Sequence, residues 1–129
     1  MLRSLFVVTF LLASSQCHAS NTGIEVMKHC GVAMKIFNGN KQVTAEENAN
    51  AMYCIGLVEG VRDSVTIWED SARTHKTNRA DVPCVPENVS TEQAIRITYK
   101  YMQDHPASLN LPGTGLVYLA LLSAYPCGV

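Results

Sequence analysis

Four cysteines constrain this chain more than any other feature. The sequence holds five, but Cys17 falls within a leader. Arg3 gives a positive start, the run LFVVTFLLA is apolar, and Cys17-His18-Ala19 offers small residues at both positions that a signal peptidase reads. The apolar run is too short for a membrane span, which takes about 20 residues. Cleavage is expected after Ala19, leaving 20–129 as a single domain with no membrane span. A lipidated Cys17 is the rival reading, and the large polar Gln16 before it counts against it. The remaining Cys30, Cys54, Cys84 and Cys127 form an even set in an exported chain, which reads as two disulfides. Three pairings exist on paper. No two of the four lie close in sequence as zinc ligands commonly do. If all four pair, no thiol nucleophile remains to work with His29, His75 or His105.

Charge and motifs remove further classes. Lys and Arg number 10 against 11 Asp and Glu, without a basic cluster, so no nucleic-acid partner is expected. Apolar residues make up 47% of the chain, too many for a disordered polypeptide. There is no Gly-rich phosphate loop, no HExxH and no CxxC. The chain is therefore expected not to be an enzyme, with no catalytic residues, no cofactor and no metal.

The predicted fold is all-α: a small disulfide-bonded bundle of four main helices, at about 22–37, 44–72, 90–104 and 113–125. Three of them open on a capping box, at Thr22-Glu25, Thr44-Glu47 and Ser90-Gln93. The first carries Ile24, Met27, Cys30 or Gly31, Met34 and Phe37 on one face, and Asn38-Gly39-Asn40 stops it. The second carries Tyr53, Leu57, Val61, Val65 and Trp68, with Trp68 as a core anchor; it runs to about Asp70 and at most to His75. The third carries Ile95, Tyr99 and Met102 and ends at His105-Pro106. The fourth includes LVYLALL, apolar nearly all round, which must be covered by the core or by a second subunit.

Element order favours two of the possible pairs. Helices joined by a short loop lie antiparallel, so Cys30 and Cys54, each a few turns from the first loop, face each other. Cys84 precedes the third helix and Cys127 follows the fourth, which brings them to one end. Each bridge is worth roughly 3–4 kcal/mol in the chain-entropy model. Gly56 and Gly60 lie one turn apart inside the second helix, at about 1 kcal/mol each. Close approach of another helix repays that cost, through internal packing first and a dimer contact second. Arg62 and Asp63 read as solvated or paired surface charges, and Asn88-Val89-Ser90 reads as loop plus N-cap.

Two stretches resemble one family. Residues 53–63, YCIGLVEGVRD, resemble the Tyr-Cys-x-Gly-x-x-x-Gly signature of the Rap/Tai immunity proteins, which guard bacteria against peptidoglycan amidases delivered by type VI secretion. Residues 84–127 resemble the family's C-terminal half: Cys84-x-Pro86, Gln93, Tyr101, His105-Pro106, Leu111-Pro112, an alanine- and leucine-rich helix, and Tyr125-Pro126-Cys127. Leu57 departs from a common aromatic and Met102 from a leucine; neither touches a cysteine. The resemblance implies a helical, disulfide-bonded periplasmic homodimer that blocks a peptidoglycan amidase with a Cys/His active site.

Two surfaces are candidates for that contact. One is the hairpin between the last two helices: His105, Pro106, Ser108, Asn110 and Leu111, stiffened by Pro106 and Pro112. The other follows the second helix: Arg73, His75, Lys76, Asn78, Arg79 and Asp81, polar and locally basic. The plain alternative for each is a solvated connector; His105 also suits a helix C-terminus, and His29 reads as packed or surface. The competing functions are a small periplasmic acid-stress chaperone, a thiol or histidine enzyme, and a lipid carrier built around the apolar fourth helix.

Overall fold

Three of the main helices start where the side chain of their own N-cap residue accepts from an amide of the first turn. The computed structural model describes residues 21–77 and 79–127; the leader and Asn78 lie outside them. Helix α1 spans Gly23–Phe37, α2 Ala45–His75, α3 Thr91–Asp104 and α4 Gly113–Ala124, with a 3-10 turn at Pro106–Ser108. Thr22 with Glu25 and Thr44 with Glu47 form reciprocal capping boxes. In the second, Glu47 N donates to Thr44 Oγ1 at 3.1 Å and Thr44 N to Glu47 Oε2 at 2.9 Å. The box expected on α3 is only half made. Ser90 Oγ accepts from Gln93 N at 3.1 Å, but the Gln93 side chain donates to the Tyr125 hydroxyl at 3.2 Å. Gln93 thus ties the start of α3 to the end of α4.

Helix ends follow the same accounting. Gly39, at φ 91°, turns the chain after α1. The longest helix, α2, runs 31 residues to His75, the far limit expected from the sequence, and closes on Lys76 in the left-handed conformation at φ 52°. His105 ends α3, because a residue before proline is pushed out of helical geometry.

The core lies where all four helices meet. Val26, Cys30, Val58, Ile95, Met102, Leu116 and Leu121 are fully buried. One disulfide joins Cys30 to Cys54 at a Cα separation of 5.1 Å, and another joins Cys84 to Cys127 at 4.9 Å. The first fastens α1 to α2 inside the core; the second fastens the segment before α3 to the end of α4.

The inward faces of α1 and α2 depart from the expected stripes at Ile24, Tyr53 and Trp68, while Cys30 and Val65 are buried and Met27, Met34, Phe37, Leu57 and Val61 pack against the core. In α1 the buried set is Gly23, Val26, Cys30, Val32 and Ala33, while Ile24 is 59% exposed. Small residues face inward because the helices approach closely: a Cβ on Gly23 would sit 2.2 Å from Leu116 Cδ1, and one on Gly113 2.2 Å from Val26 Cγ2. In α2 the buried set is Ala51, Cys54, Val58 and Val65. Tyr53, adjacent to Cys54, is rotated outward, and Trp68 is 63% exposed rather than a core anchor. Internal packing does not explain the two α2 glycines either. Both are exposed, and nothing lies within 4 Å of a Cβ built on Gly56 or Gly60. Arg62 pairs with Glu59 at 2.5 Å and donates to Val89 O at 3.1 Å. Among the described residues, no helix is long and apolar enough to cross a membrane.

These burials separate two truncations. Leu116→Ala should cost about 3 kcal/mol, as expected for a leucine emptied from a tight core. Trp68→Ala should change stability by less than about 1 kcal/mol. Urea titrations followed by far-ultraviolet circular dichroism measure both.

Candidate functional site

The connector between α3 and α4 is built into the starts of two other elements. The first amides of a helix have no partner within it, and in α1 the connector supplies them. Gly23 N donates to Leu111 O at 2.9 Å and Ile24 N to Leu109 O at 3.1 Å. In return Gly113 N, the first amide of α4, donates to Asn21 O at 2.8 Å, within an isolated bridge of Thr22 to Pro112. The connector also closes on itself, with Ser108 N donating to His105 O at 3.0 Å and Leu111 N to Ser108 O at 3.0 Å. Its backbone is thereby committed inward while most side chains face water.

Of the residues expected on this surface, His105, Pro106, Asn110 and Leu111 are exposed, Leu111 at 44%. Ser108 is half-buried. The His105 ring stacks on Tyr101 with centroids 4.0 Å apart, and its Nδ1 lies 2.8 Å from Tyr101 O. A carbonyl only accepts, so Nδ1 carries the proton of the neutral ring and Nε2 is left as an acceptor. Ile24, read from periodicity as core, instead stands exposed beside the connector it holds.

The second expected surface is more committed than its composition suggested. Arg73 and Arg79 both bind Glu69 Oε1, at 2.6 and 2.5 Å. Arg79 Nη2 also lies 3.0 Å from Cys84 Sγ. The Arg73 hydrogen bond holds the Glu69 carboxyl below its ordinary range against the opposing effect of burial, with further help from the charges of Arg73 and Arg79. The Tyr118 hydroxyl donates to Asp81 O, and burial, then the Asp81 charge, raises its pKa. His75, Lys76 and Asp81 are exposed. Asn78 lies outside the described residues. Arg73 and Arg79 therefore anchor the segment as much as they offer charge to a partner.

A third surface was not singled out as a whole from the sequence. Gly56, Leu57, Gly60, Val61, Trp68 and Tyr118 border an open apolar groove of about 310 Å3 between α2 and α4. Gly56, Gly60 and Ser64 follow one another at four-residue steps along its α2 side, and the exposed Tyr53 and Ile67 continue that stripe beyond the groove. Exposed large side chains at Tyr53, Ile67 and Trp68 were the available signal. Elsewhere, His29 packs edge-on against Tyr53 at 5.1 Å. The ligand atoms of Glu69, Cys84 and Cys127 lie within 4.8 Å of one another, but both sulfurs are spent on a disulfide, and it is the thiolate that binds metal.

Glu69 gives the second surface a pH signature. A carboxyl whose pKa is lowered on folding stabilises the fold above the ordinary glutamate value and loses that contribution as pH falls through the lowered one. Glu69→Gln should therefore cost stability at pH 7, and the cost should shrink toward zero as the pH falls below 4.5. Urea titrations of both proteins across that range test it.

Comparison with known proteins bears on the whole described chain. No curated protein and no solved structure matches it. The family model of the Rap1a immunity proteins matches residues 22–127, from the N-cap of α1 to the last cysteine. The cysteines, the committed connector and the glycine-bearing α2 all fall inside that match, and the chain belongs to the Rap1a immunity protein family.

Proposed function

We propose that this protein is a periplasmic immunity protein that binds a type VI secreted peptidoglycan amidase and plugs its Cys/His active-site groove. The observation that carries the reading is the connector at 105–112. Its backbone is bonded to the starts of α1 and α4, yet His105, Pro106, Asn110 and Leu111 face outward. An inhibitor of this kind needs no chemistry of its own. It needs a preordered surface that loses little freedom on docking. Leu111 supplies an apolar anchor and His105 Nε2 a hydrogen-bond acceptor. Family membership supports the immunity role, and the likeness of residues 53–63 and 84–127 to the Rap/Tai proteins supports the amidase as target. Two disulfides suit an oxidising compartment outside the cytoplasm.

The test is co-expression in the periplasm with a Cys/His peptidoglycan amidase encoded beside this gene. Wild-type protein should prevent lysis. Leu111→Asp should weaken binding by about 2 kcal/mol or more, as loss of an interface anchor does, with an unchanged melting temperature. Calorimetry on the purified pair reads the affinity, and lysis despite wild-type protein would sink the proposal.

The same reading includes a homodimer across the α2–α4 groove. Gly56 and Gly60 weaken the helix without a partner inside the chain. A second copy's helix, seated on the stripe from Tyr53 to Ile67, offers the close contact that glycine permits. Gly60→Ala should raise monomer stability by about 1 kcal/mol while weakening self-association in sedimentation equilibrium. An unchanged association constant would remove the glycines from the interface.

A further inference from the structure

The two disulfides have unlike surroundings. Cys30 and Cys54 are fully buried within the core. Cys84 is half-buried and borders an open cleft of about 310 Å3 with Thr66, Glu69, Arg73, Pro86 and Glu87. Arg79 Nη2 donates to Cys84 Sγ at 3.0 Å and lies 3.7 Å from Cys127 Sγ. Glu69 Oε1 is 3.8 Å from Cys84 Sγ, but it is shared between the guanidiniums of Arg73 and Arg79. The Glu69 charge is thus offset by two guanidiniums, and Arg79 is the cation that stands against the sulfurs. Asp70 and Glu87, the other acids on the cleft wall, are exposed and screened by water. A cation against sulfur favours the thiolate, and a better thiolate is a better leaving group in exchange.

We propose that Cys84–Cys127 is a thiol–disulfide exchange site, open through this cleft to small thiols and dithiols, while Cys30–Cys54 is closed to them. An incoming thiolate attacks Sγ of Cys84, the cysteine of this pair that borders the cleft. The Cys84–Cys127 bond breaks and Cys127 leaves as a thiolate facing Arg79. A second thiolate attacks the incoming sulfur of the mixed disulfide, and Cys84 leaves as a thiolate beside the same guanidinium. The two protons given up by the attacking thiols are taken up by the two cysteines. The cystine gains two electrons, and two thiols become one disulfide. Exchange cuts the covalent tie between α4 and the segment from Arg79 to Cys84. It leaves that segment held by the Tyr118 hydrogen bond to Asp81 O and by Cys84 N donating to Tyr125 O at 2.7 Å. The redox state of the surroundings thereby reaches the polar surface that follows α2.

The test uses the oxidised, folded mature protein at pH 7. It is exposed to rising dithiothreitol or to glutathione, quenched with N-ethylmaleimide, and each cysteine is read by peptide mass spectrometry. Cys84 and Cys127 should label at about a tenth or less of the dithiothreitol exposure that Cys30 and Cys54 require. Glutathione should be recovered on Cys84. Arg79→Gln should slow labelling of that pair by about threefold or more, with Cys30 and Cys54 still protected. Simultaneous labelling of both pairs, or earlier labelling of Cys30 and Cys54, overturns the site, and this order is read on wild-type protein without any variant. Glutathione recovered on Cys127 overturns the direction of attack, and an Arg79→Gln rate equal to or above wild type overturns the part given to the arginine.

Discussion

The Cys30–Cys54 bond sets the rotation of two helices, and most of the molecule follows from it. With the two Cα atoms 5.1 Å apart, neither helix can turn about its axis. Val26 and Ala33 on α1, and Ala51 and Val58 on α2, are thereby aimed at the same interior. The same rotation turns Ile24, Tyr53 and Trp68 outward. A small domain buries a modest fraction of its chain surface, so a covalent tie at the centre of the core carries unusual weight. It holds the phase of both helices where a few small residues would leave it loosely specified.

The second organising contact is the exchange of backbone hydrogen bonds between the connector and α1. It serves fold and surface together. The amides that α1 leaves unmade are completed by Leu109 and Leu111, and the bonds that complete them hold the connector in place. Glycines at 23 and 113 leave room at the two helix starts for the side chains of Leu116 and Val26. An exposed loop that docks on a partner faces a general conflict, since exposure favours motion and motion costs affinity. In this connector the main chain bonds inward, and the side chains of His105 and Leu111 remain outside.

What could be read from the sequence was local. Thr22 and Glu25, or Thr44 and Glu47, are three residues apart, and their capping chemistry is complete within one turn. Helix starts were therefore legible almost to the residue, as was the stop imposed by Pro106. Helix phase was legible on α3, where Ile95 and Met102 are buried as expected, and only in part on α1 and α2. In α1 both Ile24 and Val26 are apolar, and contacts distant in sequence, the Cys30–Cys54 bond and the close approach of Gly113 to Val26, select Val26 for the interior. Gln93 matched a capping box but found Tyr125 in space. The site divides in the same way. The proline-flanked connector was visible as a stiff exposed segment, whereas its bonding to Asn21, Gly23 and Ile24 joins the two ends of the chain. The basic run after α2 looked free because its partners, Glu69 and Cys84, become neighbours of Arg79 only on folding.

The sealing of α1 by residues near the far end has a consequence for synthesis. The first two amides of α1, those of Gly23 and Ile24, gain their partners only when the carbonyls at 111 and 109 arrive. Any process that delivers the polypeptide from its first residue onward, from a ribosome or through a translocation channel, presents that helix unfinished for most of the passage. Non-local closure of this kind slows folding, and slow folding keeps a chain threadable. The bond pattern that stiffens the finished connector thus also delays the moment at which the chain becomes too compact to pass through a pore.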